Sequence, residues 1–173
     1  MKIKFKVCKV CAKEYKPYNS LQVVCSPLCA LNFNSKKEIQ KRIKEIKKNL
    51  LTHKDYLKIL QMIFNKYIRL RDKDKPCISC DKEVKNGHAS HYFAVGNYPH
   101  LRFNEHNVHL SCVECNVFKH GNLLEYEERL SNRIGVFNKY LLYKDRHNTN
   151  KLSIPELEEK INEYKLKIKN LNL

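Results

Sequence analysis

Eight cysteines in four close pairs constrain this chain more than any other feature. Cys8 and Cys11 are followed by Cys25 and Cys29, and Cys77 and Cys80 by Cys112 and Cys115. A short turn that carries two thiols can offer both to one ion, and zinc takes four soft donors in a tetrahedron. The first two pairs then close one four-cysteine zinc site and the last two pairs a second, with no cysteine left over. In a reducing compartment such paired knuckles read as metal ligands rather than disulfides. Free buried cysteines would have no reason to fall into four short-spaced pairs. Structural zinc contributes on the order of 10 kcal/mol to folding, which offsets the small cores of such modules.

Hydrophobic residues make up 42% and charged residues 30% of the 173, a globular composition. No apolar run approaches the roughly 18 residues that span a bilayer, and no signal-peptide pattern appears. The opening "MKIKFKVCKVC" enters a cysteine motif at once. A cytoplasmic protein is expected, with no membrane partner. The formal charge of +16 asks for an acidic partner, and a polyphosphate backbone is the best fit because Lys and Arg on phosphates release condensed counterions. The charge is concentrated. Residues 36–75 hold fourteen Lys/Arg against five Asp/Glu.

That basic stretch is patterned for helices. Ile39, Ile43, Ile46 and Leu50 share one stripe, with Ser35 as the expected N-cap three residues before Glu38. Thr52 followed by Asp55 signals a fresh start, and a second helix is expected to about Asp72 with Leu57, Leu60, Phe64, Tyr67 and Ile68 inward. Near the C-terminus, Ser153, Pro155 and Glu156 form a capping pattern. Ile154, Leu157, Ile161, Tyr164, Ile168 and Leu171 follow at heptad spacing, suited either to intramolecular packing or to a dimer seam. "KDRHNTNK" ahead of them is the clearest linker.

Residues 87–116 hold five of the eight histidines, largely between the two knuckles of the second cysteine set. A metal that ties the ends of this insert together relieves it of supplying its own core. "HASHYFAV", "GNYPH", "LRF" and "NVHLSC" read as a strand, a turn and a return strand or loop, and "CVECNVFKHGN" as the start of a short helix. A strand-loop-helix unit bearing His, Asn and a metal resembles the HNH, or ββα-metal, arrangement. An imidazole that titrates near neutrality can take a proton from water. A divalent ion opposite it can bind the scissile phosphate and stabilise the departing oxygen.

The resemblance becomes specific in "CKVCAKEYKPYNSLQVVCSPLC", "FNKYIRLRDKDKPCISC", "HASHY", "LRFNEHNVHLSCVECN", "GNLLEY" and "RIG". Together these resemble the phage lambda NinG (Rap) family of recombination endonucleases, which resolve branched DNA, over roughly residues 8 to 135. Over a shorter stretch the chain is similar to the endonuclease VII type of Holliday-junction resolvase. The resemblance implies that His91 is the general base and Asn116 a ligand of a catalytic divalent ion, magnesium or alternatively manganese. Asn107 matches the middle asparagine, which ties the loop backbone rather than touching the metal. Ser90 stands where the endonuclease VII pattern has a metal-binding aspartate, and a hydroxyl is a weaker ligand for a hard cation. His88 and His120 are the candidates to make up that lost ligand. His109 could orient His91 or contact phosphate. No role is expected for His53, His100, His106 or His147.

The fold expected is mixed α/β, small and zinc-stapled. Its parts are a four-cysteine finger (1–34), a basic helical arm (35–75), an HNH-like ββα-metal core (76–135) and a C-terminal helical region (136–173). The first finger has basic and tyrosine residues but no catalytic set, and is expected to contact DNA or dock. The function expected is metal-dependent cleavage of branched DNA in phage recombination, within a bacterial host cell. A homodimer is expected, since resolving a four-way junction takes two symmetric cuts. Two alternatives stay open: a zinc-dependent DNA-binding protein without cleavage activity, argued by Ser90, and an HNH nuclease for another nucleic acid.

Overall fold

The computed structural model describes residues 4–171, with side chains for all of these but 47–49. It is a mixed α/β fold whose chain divides into two compact units at Leu51 and Thr52. The region 35–75 is thereby divided, its first helix in one unit and its second in the other.

The first unit is organised around its cysteines. Strands β1 (Lys6–Val7) and β2 (Glu14–Tyr15) pair antiparallel around the first knuckle. The second knuckle runs directly into helix α1 (Pro27–Asn49). Ser26 Oγ accepts a hydrogen bond from the Cys29 amide at 3.2 Å, and Pro27 takes the first helical position, where a missing N–H costs nothing. The helix therefore begins well before Ser35. Ser35 lies inside it and donates to the Asn32 carbonyl at 3.1 Å, a bond a mid-helix serine makes when it caps nothing. Ile39, Ile43 and Ile46 all stand exposed along α1.

In the second unit, α2 (His53–Arg71) starts where Thr52 and Asp55 satisfy each other's backbone amides in a reciprocal capping box. Tyr56, Leu60, Phe64, Tyr67 and Ile68 form its buried stripe, with Leu57 half-buried at the margin. Helix α5 (Ile154–Leu171) lies against this stripe through Leu157, Ile161 and Tyr164. The Tyr164 ring sits edge-on to Phe64, with centroids 5.0 Å apart, and tilts against Tyr67 at 5.2 Å. The C-terminal heptads are thus spent inside the chain, while Ile154 and Leu171 remain exposed.

Between these helices runs a hairpin. Strand β3 (His88–His91) pairs antiparallel with β4 (Val108–Ser111), matching His88 with Ser111 and Ser90 with His109. A short 3-10 turn, Pro99–Phe103, interrupts the long connection. After β4 the chain makes a single π-helical turn, Glu114–Phe118, and only then enters α3 (Leu123–Ile134) and α4 (Val136–Asp145). The helix expected to begin at the last knuckle is therefore one turn long. His120, Gly121 and Asn122 in left-handed backbone stop it before α3 begins. Ile78, Phe93, Leu101, Tyr126, Leu130 and Leu142 build the core beneath the hairpin. Among the described residues no helix is long and apolar enough to cross a membrane.

Candidate functional site

The two cysteine sets are assembled the same way. In each first knuckle the leading cysteine's amide donates to a carbonyl five residues on: Cys8 to Lys13 and Cys77 to Lys82, both at 2.9 Å. A return bond comes from the residue four along, Ala12 or Asp81, each held at positive φ. The four sulfurs of Cys8, Cys11, Cys25 and Cys29 lie within 4.8 Å of one another, as do those of Cys77, Cys80, Cys112 and Cys115. Sγ separations of 3.5 Å (Cys11–Cys25), 3.7 Å (Cys25–Cys29) and 3.8 Å (Cys80–Cys112) suit the edge of a tetrahedron. A zinc–sulfur bond of about 2.3 Å implies an edge of about 3.8 Å.

The electrostatics agree with a cation. Burial raises the Cys8 and Cys77 thiols, but backbone amides aimed at their sulfurs outweigh it and bring both down to about 6. Cys25 is pushed up to about 12 by the thiols it bonds, Cys11 first, and Cys115 to about 12 by burial and its cysteine neighbours. Four thiols at this range cannot all ionise without a compensating charge. Each tetrad can hold a metal ion such as zinc, and the second one clamps the ends of the segment that carries the hairpin.

The hairpin is fixed to α2 by a buried carboxylate. Asp72, fully buried, accepts from Arg71 at 2.8 and 2.9 Å, from Lys75 at 3.1 Å and from the Leu110 amide of β4 at 3.1 Å. Arg71 also donates to the carbonyls of Glu105 and Val108, at 2.9 and 2.8 Å. Asn107 closes the hairpin's other end. Fully buried, it accepts from the Phe93 amide at 2.7 Å and donates to the Phe93 and Leu101 carbonyls, each at 3.1 Å.

His91, at the end of β3, is half-buried, and its Nε2 lies 3.0 Å from the Arg102 carbonyl. A carbonyl only accepts, so Nε2 carries the proton and the lone pair lies on Nδ1. Burial lowers this imidazole's pKa, and the nearby Arg102 charge adds to the effect although the backbone bond opposes it. The downward shift favours the neutral ring, the form a general base must have.

His88 and Asn116 are brought together. The Asn116 amide nitrogen lies 3.1 Å from His88 Nδ1, joining the start of β3 to the π-helical turn. Among the described residues, none of the remaining candidates is hydrogen-bonded to this pair through its side chain. Ser90 is buried, and its carbonyl accepts from Tyr126. His120 is exposed, and no hydrogen bond joins it to His88 or Asn116 among the described residues. His109 is buried with Nδ1 3.0 Å from the Tyr126 hydroxyl, and burial together with Arg71 lowers it to about 3. A histidine so enclosed neither contacts phosphate nor orients His91. Outside the two tetrads, no cluster of three His, Cys, Asp or Glu ligands forms among the described residues.

Three contributors escaped the sequence. Arg102 acts through its backbone carbonyl, which no side-chain pattern reports. Asp72 and Tyr126 resemble ordinary helix residues until the hairpin closes over them. A buried-length acid flanked by Arg71 and Lys75 was the one available hint.

Comparison with known proteins agrees on one family. A family model described as the Bacteriophage Lambda NinG protein matches residues 34–173. The chain is 34% identical to "Protein ninG" of Escherichia phage lambda, covering 93% of this chain and 89% of that protein. It is 33% identical to "Protein ninG" of Salmonella phage P22, over 93% and 90% of the two chains. It is likewise 33% identical to "Protein ninG" of Escherichia phage 933W, over 95% and 92%. No solved structure matches. With most of its length matched both to the family and to individual members, the chain belongs to the NinG family of phage lambda.

Proposed function

We propose that this protein is an HNH-type endonuclease that hydrolyses DNA phosphodiesters at branched structures, with His91 as the general base. The observation that carries the reading is the geometry of His91: at the end of β3, with Nε2 held by the Arg102 carbonyl, so that Nδ1 carries the lone pair a general base needs. Asn107 keeps the hairpin loop in place around that ring. His88 and Asn116 are the residues that would hold a divalent ion. Such an ion supplies Lewis-acid stabilisation of charge on the phosphate and the departing sugar oxygen. An imidazole in place of a carboxylate suits magnesium less well than transition ions, so manganese should support cutting better. Two copies of the chain, each with one site, fit the two symmetric cuts of a four-way junction.

Ser90 favours a second reading, a zinc-stapled DNA-binding protein that does not cut. Among the described residues no carboxylate is bonded to His91, and Ser90, in the place of an acidic ligand, is a buried hydroxyl. The test is cleavage of labelled junction, duplex and RNA substrates with magnesium or manganese. The nuclease reading expects junction cutting, and a loss of about 100-fold or more in His91→Ala with binding retained. A His91→Ala protein within about tenfold of wild type would sink the base assignment. A wild type that binds junctions but cuts nothing would leave the binding reading.

A further inference from the structure

Beside His88 the second unit has a cavity of about 380 Å³, walled by Arg69 and Lys73 from the end of α2 and by Lys85, Asn86 and Gly87 from the loop before β3. The cations around it differ in how they are used. Arg71 and Lys75 turn onto buried Asp72 and share its one negative charge. Arg69 and Lys85 are exposed and make no ion pair among the described residues, and Lys73 has only a 4.0 Å approach to exposed Asp74. A helix C-terminus favours a cation such as Arg69 on its own account. Lys85 sits in a loop, where that explanation fails.

The loop carrying Lys85 is held in place. A Cβ on Gly87 would lie 2.6 Å from both Leu110 Cδ1 and Val84 Cγ1 and 2.8 Å from the Ser111 carbonyl. Only glycine lets the chain press this closely onto β4, and the contact fixes Lys85 and Asn86 at the mouth of the cavity. Two unneutralised cations on two different elements therefore face one groove, immediately beside the residue paired with Asn116.

We propose that this groove seats the sugar–phosphate backbone of duplex DNA next to the cleavage site, with Arg69 and Lys85 each taking a phosphate. The inference rests on the nuclease reading and adds to it the direction in which the strand leaves the site. Neither residue has a role in the chemistry. They would set where the backbone lies.

The test is binding of the zinc-loaded full chain to a fluorescein-labelled DNA duplex and four-way junction, without added divalent ion, over a series of salt concentrations. In the double variant Arg69→Gln/Lys85→Gln, the slope of log affinity against log salt should flatten by roughly 0.9 per lost phosphate contact. The charge-matched control Lys144→Gln/Lys151→Gln should keep the wild-type slope, and Arg69→Lys/Lys85→Arg should restore it. Thermal melts of all variants should lie within a few degrees of one another, since no hydrogen bond is removed and only the helix-end charge of Arg69 is lost. An unchanged slope in the double variant, or an equal loss in the control, overturns the groove while leaving the nuclease reading standing. A wild type that binds neither DNA overturns both.

Discussion

Asp72 is the residue on which the geometry of the site most depends. It joins the end of α2 to β4, and its carboxylate is the only acid that Arg71 and Lys75 share there. Burial opposes its ionisation, but Arg71, the Leu110 amide and Lys75 outweigh this and hold it down at about 2. With the folded value below the unfolded one, this group's stabilisation is present above about pH 4 and is lost as pH falls toward 2. Asp72→Asn should cost about 3 kcal/mol in urea unfolding at pH 7, because it leaves Arg71 without a counter-charge. The gap from wild type should begin to close near pH 4. Acid also releases metal from thiolates, but it does so in both proteins, so the difference between them isolates Asp72. A gap that stays constant on acidification would show that the carboxylate is not the source. At this scale the sequence was partly legible. The cysteine sets rest on side chains at informative spacings, whereas His88 and Asn116 are marked only by the family resemblance and their contact comes from the fold. The Arg102 carbonyl and the burial of Ser90 and His109 depend on tertiary closure, to which no spacing points.

At the scale of elements, the two apolar stripes of the helices have different fates. The stripe of α5 is covered by α2 inside one unit, whereas Ile39, Ile43 and Ile46 of α1 face outward. The two should respond in opposite ways. Leu157→Ala should destabilise the second unit by about 3 kcal/mol through the cavity it leaves, with no change in molecular mass. Ile39→Asp/Ile46→Asp should leave the melting of that unit unchanged and convert the proposed homodimer to monomer in light scattering. A dimer that survives the α1 variant places the seam elsewhere. The exposed Lys37, Lys41 and Lys44 share α1, while the side chain of Lys48, part of the same expected basic face, lies outside the described residues. Helix starts were legible where a side chain closes a local hydrogen bond, as at Thr52. Ser26 is hidden as a cap because it sits inside a cysteine pair, and Ser35 imitates one because a glutamate follows three residues later.

For the whole molecule, the two tetrads predict two zinc ions per chain by metal analysis of purified, folded protein. Mild chelation should stop divalent-dependent cutting while both zinc ions stay bound. A folded, active chain with one zinc or none would refute the assignment of a structural zinc to each tetrad. The division at Leu51 was not legible as a boundary, since the basic, helix-forming composition runs unbroken across it from 36 to 75. The second tetrad has a further consequence as a reversible cross-link. Cys80 and Cys112, whose sulfurs meet at 3.8 Å, stand 32 positions apart along the chain, with the whole hairpin between them. Closing a loop of that size removes about 4 kcal/mol of unfolded-state entropy when the link is covalent. A metal link does so only while the metal is bound, so the population of correctly closed sites follows free zinc by mass action. The supply of that ion would then set how many molecules hold the hairpin segment closed.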